Sequence, residues 1–173
     1  NGGATLTING FKLTVSGNTT IAGNMTHTST LSTKTFNNVT ITSGGIWNSN
    51  AGESYSITNL TLSGSTMAGS STGTFNISGN LSVTSGTTNT LNSVNLNISG
   101  TSSIDGTLNI ANTGGSKTFT GLVTVNSSGV LNNTVAETLT FNGGLTAYGS
   151  VINSGTLNGT GAFAFKSGGT YQH

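Results

Sequence analysis

Apolar residues recur along this chain about every 21 residues, in three interleaved series. One series reads Ile21, Ile41, Leu62, Val83, Ile104, Val125, Leu145, Phe165. A second reads Val15, Phe36, Ile57, Ile77, Ile98, Phe119, Leu139, and a third, looser one reads Met25, Ile46, Met67, Ile110, Leu131, Ile152. Three anchors per period, each returning beneath its equivalent one period later, describe a coil that stacks on itself. The spacing predicts an all-β chain folded as a parallel β-solenoid (β-helix), with about 21 residues per coil, three strands per coil and roughly eight coils. Residues 1–173 then form a single elongated domain, about 40 Å long at the usual strand spacing of about 4.8 Å.

Without that rhythm the composition would point to disorder. Ser, Thr, Asn and Gly make up 108 of 173 residues, charged residues are 4%, and Pro and Cys are absent. So little apolar surface does not ordinarily offset chain entropy. A stacked coil needs only a thin inward line of Val, Ile, Leu and Phe, because each coil also hydrogen-bonds to its neighbours around the whole perimeter.

Around each anchor the residues alternate, as in Lys12-Leu13-Thr14-Val15-Ser16 and Leu60-Thr61-Leu62-Ser63, which is the two-residue period of a strand with one inward face. Between these runs lie Gly- and Asn-rich corners such as Ser43-Gly44-Gly45 and Ser78-Gly79-Asn80, residues suited to sharp turns. No stretch carries a 3.6-residue apolar period, so no helix is expected. The rhythm blurs where Thr88 stands in for a third-series anchor, and again after Leu139. Ile46 reads as inward, which turns its neighbour Trp47 outward, where an exposed aromatic could stack on a sugar or a neighbouring filament.

Neither end carries a recognisable cap. A bare terminal coil offers unpaired backbone groups that recruit another strand, so the chain reads as a segment of a longer solenoid or as a protomer that stacks end to end. No signal peptide and no apolar run long enough for a membrane span is present. The start at Asn1 and the lack of Cys fit a processed, exported chain. Ten Asn-x-Ser/Thr triplets, at Asn18, Asn24, Asn38, Asn59, Asn76, Asn80, Asn97, Asn126, Asn132 and Asn158, are candidate glycan acceptors, although such triplets also arise by chance in this composition.

The charge inventory weighs against catalysis, metal binding and nucleic-acid binding. The net charge is +1, Arg is absent, and Lys12, Lys34, Lys117 and Lys166 are scattered along the sequence. Nucleic-acid binding calls for clustered cations. The only carboxylates, Glu53, Asp105 and Glu137, fall on different coils and different sides in the 21-residue frame. Glycoside hydrolysis ordinarily needs two of them within about 5–9.5 Å. His27 reads as a solvated surface residue, and the other imidazole, His173, is the last residue. No cofactor and no metal is called for.

Function is then expected on an outward face. Flanking the second series are Thr14 and Ser16, Thr35 and Asn37, Ser56 and Thr58, Asn76 and Ser78, Asn97 and Ser99, Thr118 and Thr120, and Thr138 and Thr140. This ladder of short, uncharged, hydrogen-bonding side chains is open to three readings. It is a soluble strand face, a surface for lateral pairing between filaments that no charge repels, or a flat face for ice or carbohydrate. β-Solenoid antifreeze proteins resemble it in repeating Thr-x-Thr, but only Thr118-x-Thr120 and Thr138-x-Thr140 keep that motif on this side.

The phrases Phe36-Asn37-Asn38-Val39-Thr40-Ile41-Thr42-Ser43-Gly44-Gly45, Phe75-Asn76-Ile77-Ser78-Gly79-Asn80-Leu81-Ser82-Val83 and Phe163-Ala164-Phe165-Lys166-Ser167-Gly168-Gly169-Thr170-Tyr171 resemble the degenerate repeats of large bacterial surface proteins, especially filamentous adhesin-like β-solenoids. The resemblance spans essentially the whole chain. It implies a non-enzymatic structural protein at the cell surface or in the extracellular space, acting as stalk, fibre or adhesive surface. Its partners would be further copies of itself, the rest of a longer solenoid, or surface glycans.

Overall fold

A computed structural model describes residues 4–28, 32–49, 52–69 and 73–173; Asn1 lies outside them. Every regular element among the described residues is a strand, and every strand pairing is parallel, as in the pair Thr107–Ile110 with Val130–Asn133. One coil illustrates the path. Asn95–Ile98, Ser102–Ile104 and Thr107–Ile110 follow one another around three faces. The first lies between Thr74–Ile77 and Lys117–Phe119, and the second between Leu81–Val83 and Val123–Val125. The third lies between Thr88–Asn92 and Val130–Asn133.

The third-series face is a nine-stranded sheet, while the other two faces belong to one 14-stranded sheet folded along its length. The long strands Lys34–Ile41 and Ser54–Leu62 run around that fold and join the two faces. The architecture is the β-solenoid the periodicity predicts, with about eight turns roughly 21 residues apart.

A single core runs the length of the coil. Ile41, Leu62, Val83, Ile104 and Val125 form one inward stack and are fully buried. Phe36, Ile57, Ile77, Ile98 and Phe119 form another. Fully burying one such side chain stabilises by about 1.5–3 kcal/mol.

Backbone crowding fixes the corner before the third-series face. A Cβ on Gly23, Gly45, Gly106, Gly129, Gly149 or Gly169 would overlap a carbonyl oxygen of the preceding coil, Ile104 O in the case of Gly129. Glycine is required there because two backbones approach closely. At the corner between the other two faces, side chains form a ladder. Asn38 Nδ2 donates to Asn18 Oδ1 at 3.0 Å, and Asn59 Nδ2 to Asn38 Oδ1 at 2.9 Å. The backbone N–H of Asn80 then donates to Asn59 Oδ1, and that of Thr101 to Asn80 Oδ1.

Several sequence-level assignments change register. Trp47, not Ile46, points inward: it pairs with Met25 and Met67 and is fully buried, whereas Ile46 aligns with Asn24 and Thr66 and is 36% exposed. The coil between Met25 and Trp47 is thus one residue longer than the step to Ile46, a shift that buries the largest apolar side chain. Likewise Ile152 lies outward between buried Val151 and Asn153. Leu91, aligned with Met67 and Ile110, supplies the anchor missing at Thr88.

Near the C-terminal end Phe119 stacks on Phe141 rather than Leu139, and Val125 on Ala147 rather than Leu145. Here a 22-residue coil from Val125 to Ala147 is followed by an 18-residue one from Ala147 to Phe165. Their unequal lengths are concealed in the sequence by the even steps Val125, Leu145, Phe165. Leu139 aligns instead with Lys117 and Leu157.

Candidate functional site: an uncharged outer face and a buried polar corner

On the second-series face the outward residues form two columns along the axis. One column, in direct register, is Thr14, Thr35, Ser56, Asn76, Asn97, Thr118, Thr140 and Asn158. Ser16, Asn37, Thr58, Ser78, Ser99, Thr120 and Asn142 follow the inward anchors of successive coils and make the second. The pair expected from the last coil, Thr138 and Thr140, is therefore displaced: Thr140 belongs to the first column, Asn142 takes the second, and Thr138 aligns with Thr156 outside both. The cause is the long coil that also shifts Leu139.

None of the columns' residues is buried and none is charged. Asn97 Nδ2 bridges to Asn76 Oδ1 at 3.1 Å, and Asn37 Nδ2 to the carbonyl of Ser16 at 3.2 Å. Between the columns runs a shallow trough of about 320 Å³, bordered by Thr35, Ser56, Thr58, Asn76, Ser78 and Asn97. Its hydroxyls and amides repeat at the strand spacing of about 4.8 Å. They can donate and accept hydrogen bonds but supply no acid, base or fixed charge.

The titratable residues lie elsewhere. At the corner between the third- and second-series faces, Lys34 and Lys117 occupy one inward column, four coils apart, with Tyr55, Phe75 and Leu96 between them. They share a column but are separated along it by about 19 Å at the usual strand spacing. Lys34 Nζ lies 2.6 Å from Glu53 Oε1, with both side chains fully buried. Lys34 Nζ also donates to the carbonyl of Ser32, and the Tyr55 hydroxyl donates to Glu53 Oε2 at 2.8 Å. Lys117 Nζ lies 3.5 Å from Glu137 Oε2, whose side chain is 11% exposed. The same Oε2 accepts the backbone N–H of Gly114. Glu53 and Glu137 thus sit on different coils but at the same corner.

His27 belongs to this corner and is fully buried, contrary to the solvated position expected of it. Trp47 Nε1 donates to its Nδ1 at 3.3 Å, its ring meets Tyr55 edge-on, and its Nε2 has no hydrogen-bond partner. Desolvation holds the imidazole neutral, lowering its pKa to about 4, with Glu53 opposing the shift and Lys34 adding to it. Burial likewise pushes the Tyr55 hydroxyl well above its ordinary value and lowers Lys117, the latter against the pull of Glu137.

The sequence held a signal for this pairing. Lys34 and Lys117 occupy inward positions of the strand alternation, and each is followed about one coil later by a Glu, a pattern hidden when cations are inspected only for clustering along the chain. Asp105 is half-buried on the outside of the first-series face, bound by Ser103 Oγ at 2.9 Å and Asn126 Nδ2 at 2.8 Å. Among the described residues, no three His, Asp or Glu side chains converge, and no helix is long and apolar enough to cross a membrane.

The terminal coils differ from the interior. Leu6 and Phe11 at one end, and Phe163, Phe165 and Tyr171 at the other, are 40–78% exposed, although Leu6, Phe163, Phe165 and Tyr171 lie in line with buried residues of the adjoining coils. Comparison with protein-family models, curated proteins and solved structures returns no match to this chain.

Proposed function

We propose that this chain is a structural length of an extracellular or cell-surface fibre, a β-solenoid whose ends are covered by further coils. Those coils come from a second copy stacked end to end or from the rest of a longer solenoid. The observation that carries this reading is the pair of bare terminal coils. Among the described residues, each presents apolar side chains in line with the core and an outermost strand whose outer edge pairs with no further strand. Another parallel coil satisfies both at once, and the same geometry repeats indefinitely. The role is mechanical: backbone ladders along the axis give stiffness, and the inward stacks hold each coil in register.

The uncharged columns support a lateral role. Two such faces carry no like charges to repel one another, and their rungs repeat at the same spacing over the whole length. A second reading, favoured by the trough between the columns, is binding of ice or a neutral carbohydrate there.

Electron microscopy of the purified chain, combined with sedimentation, tests the first reading. Filaments with an axial repeat of about 4.8 Å per coil support it, as do particles that lengthen with concentration. Isolated short rods at every concentration refute end-to-end stacking. Thr118→Tyr with Thr140→Tyr separates the readings, since bulky rings on the face remove thermal hysteresis or glycan retention and leave axial growth unchanged.

A further inference from the structure

We propose that Lys34 and Glu53 condense to an intramolecular amide that staples one coil to the next. Three features of the corner favour a bond over an ion pair. The first is proximity: Nζ and Oε1 are 2.6 Å apart, and neither side chain is exposed to water. Once Nζ turns from Oε1 onto the face of Cδ at about 3–3.5 Å, groups confined in this way react with effective molarities on the order of 10⁵–10⁸ M, which outweighs the water concentration that ordinarily drives amide hydrolysis. The second is desolvation. An ion pair removed from water bears a large penalty on both charges, and condensation replaces the two charges with one neutral amide. The third is the acceptor's environment. The Tyr55 hydroxyl donates to Glu53 Oε2 at 2.8 Å, placed to stabilise negative charge that develops on that oxygen as nitrogen attacks the carboxyl carbon. Burial keeps the phenol protonated and therefore a donor.

The step balances within the pair. A proton passes from the Lys34 ammonium to Glu53 Oε1, and the freed amine attacks Cδ. The Nζ–Cδ bond forms, the Cδ–Oε1 bond breaks, and Oε1 leaves as water carrying two protons from the original ammonium. The third proton stays on the amide nitrogen. No oxidant, reductant or cofactor is consumed. Trp47, Tyr55 and Phe75, packed edge-on and stacked at this corner, limit the return of water. Lys117 and Glu137 serve as an internal comparison: they stand 3.5 Å apart, Glu137 is partly exposed, and its Oε2 is already bound to a backbone N–H. They remain an ion pair.

Intact-mass spectrometry of the folded full chain, incubated and then denatured, tests the proposal. The expected result is a mass lower by one water molecule. Lysine-specific digestion should no longer cleave after Lys34 while still cleaving after Lys117, leaving residues 13–117 as one peptide that lacks that water. Glu53→Ala and Lys34→Met should each abolish the mass loss, and Tyr55→Phe should slow its appearance by at least tenfold. Wild-type protein that keeps its full mass and is cleaved completely after Lys34 overturns the proposal. So does a mass loss that persists in Glu53→Ala.

Discussion

Acid should loosen this solenoid through a single imidazole. His27 is neutral and fully buried in the folded chain, with a pKa lowered from 6.5 to about 4 by desolvation. Between those values the unfolded chain binds a proton that the folded chain does not, so stability rises with pH across the window. The contribution is complete above pH 6.5 and is lost as the pH falls toward 4. One pKa unit corresponds to about 1.4 kcal/mol, so the loss from this group reaches about 2 kcal/mol at pH 5 and about 3 kcal/mol at pH 4. His27→Gln keeps an acceptor for Trp47 Nε1 but cannot be protonated. Urea unfolding followed by circular dichroism from pH 7.5 to pH 4 should therefore show wild type losing about 3 kcal/mol more than the variant. Carboxylates far from the corner affect both proteins equally. Parallel pH profiles for the two would refute the argument that the imidazole is desolvated in the fold.

Two further substitutions, and a third as control, probe the inward stacks and the crowded corner. Ile104→Asp places a carboxylate between Val83 and Val125 without a partner, at a cost well above about 3 kcal/mol. It should eliminate both the β-type circular dichroism and the thermal transition, and retention of either contradicts the inward assignment. Gly129→Ala pushes a methyl group against the carbonyl of Ile104 and should lower stability by about 1–3 kcal/mol. Gly17→Ala, with open space around the new carbon, should change it by less than about 0.5 kcal/mol; denaturant midpoints distinguish the two.

Much of the fold was legible because strand alternation and coil period reinforce one another. The stack from Ile21 to Val125 could be read directly, since each member is a β-branched residue or Leu at a spacing of 20 or 21. Failures came where neighbouring residues compete for one inward position. Ile46 and Trp47 both fit the period, and burial of the indole with a partner at His27 decided between them. Leu139 and Phe141 competed in the same way, and the longer coil selected Phe141 because it stacks on Phe119. The glycine column at the corner would have fixed the phase, since Gly45, Gly106, Gly129, Gly149 and Gly169 each sit one backbone width from the preceding coil. Of the outer face, the residue types and all but the last coil were readable. The buried corner was not, because charged residues are ordinarily assigned to the surface, and these become internal only once strand register places them.

The unevenness of the coils has a consequence for fidelity. A solenoid of identical repeats can slip by one whole turn at no cost, as a nut moves along a uniform thread. This chain cannot. A slip of one turn would bring Lys117 level with Phe75, beside the corner that already holds the Lys34–Glu53 pair. A slip between the coils of Asn133 and Asn153 would part their inward amides, which bond to each other at 2.7 Å, and set Asn153 level with Ile110. Each of these irregularities lowers the regularity of the core, and together they give every turn an address.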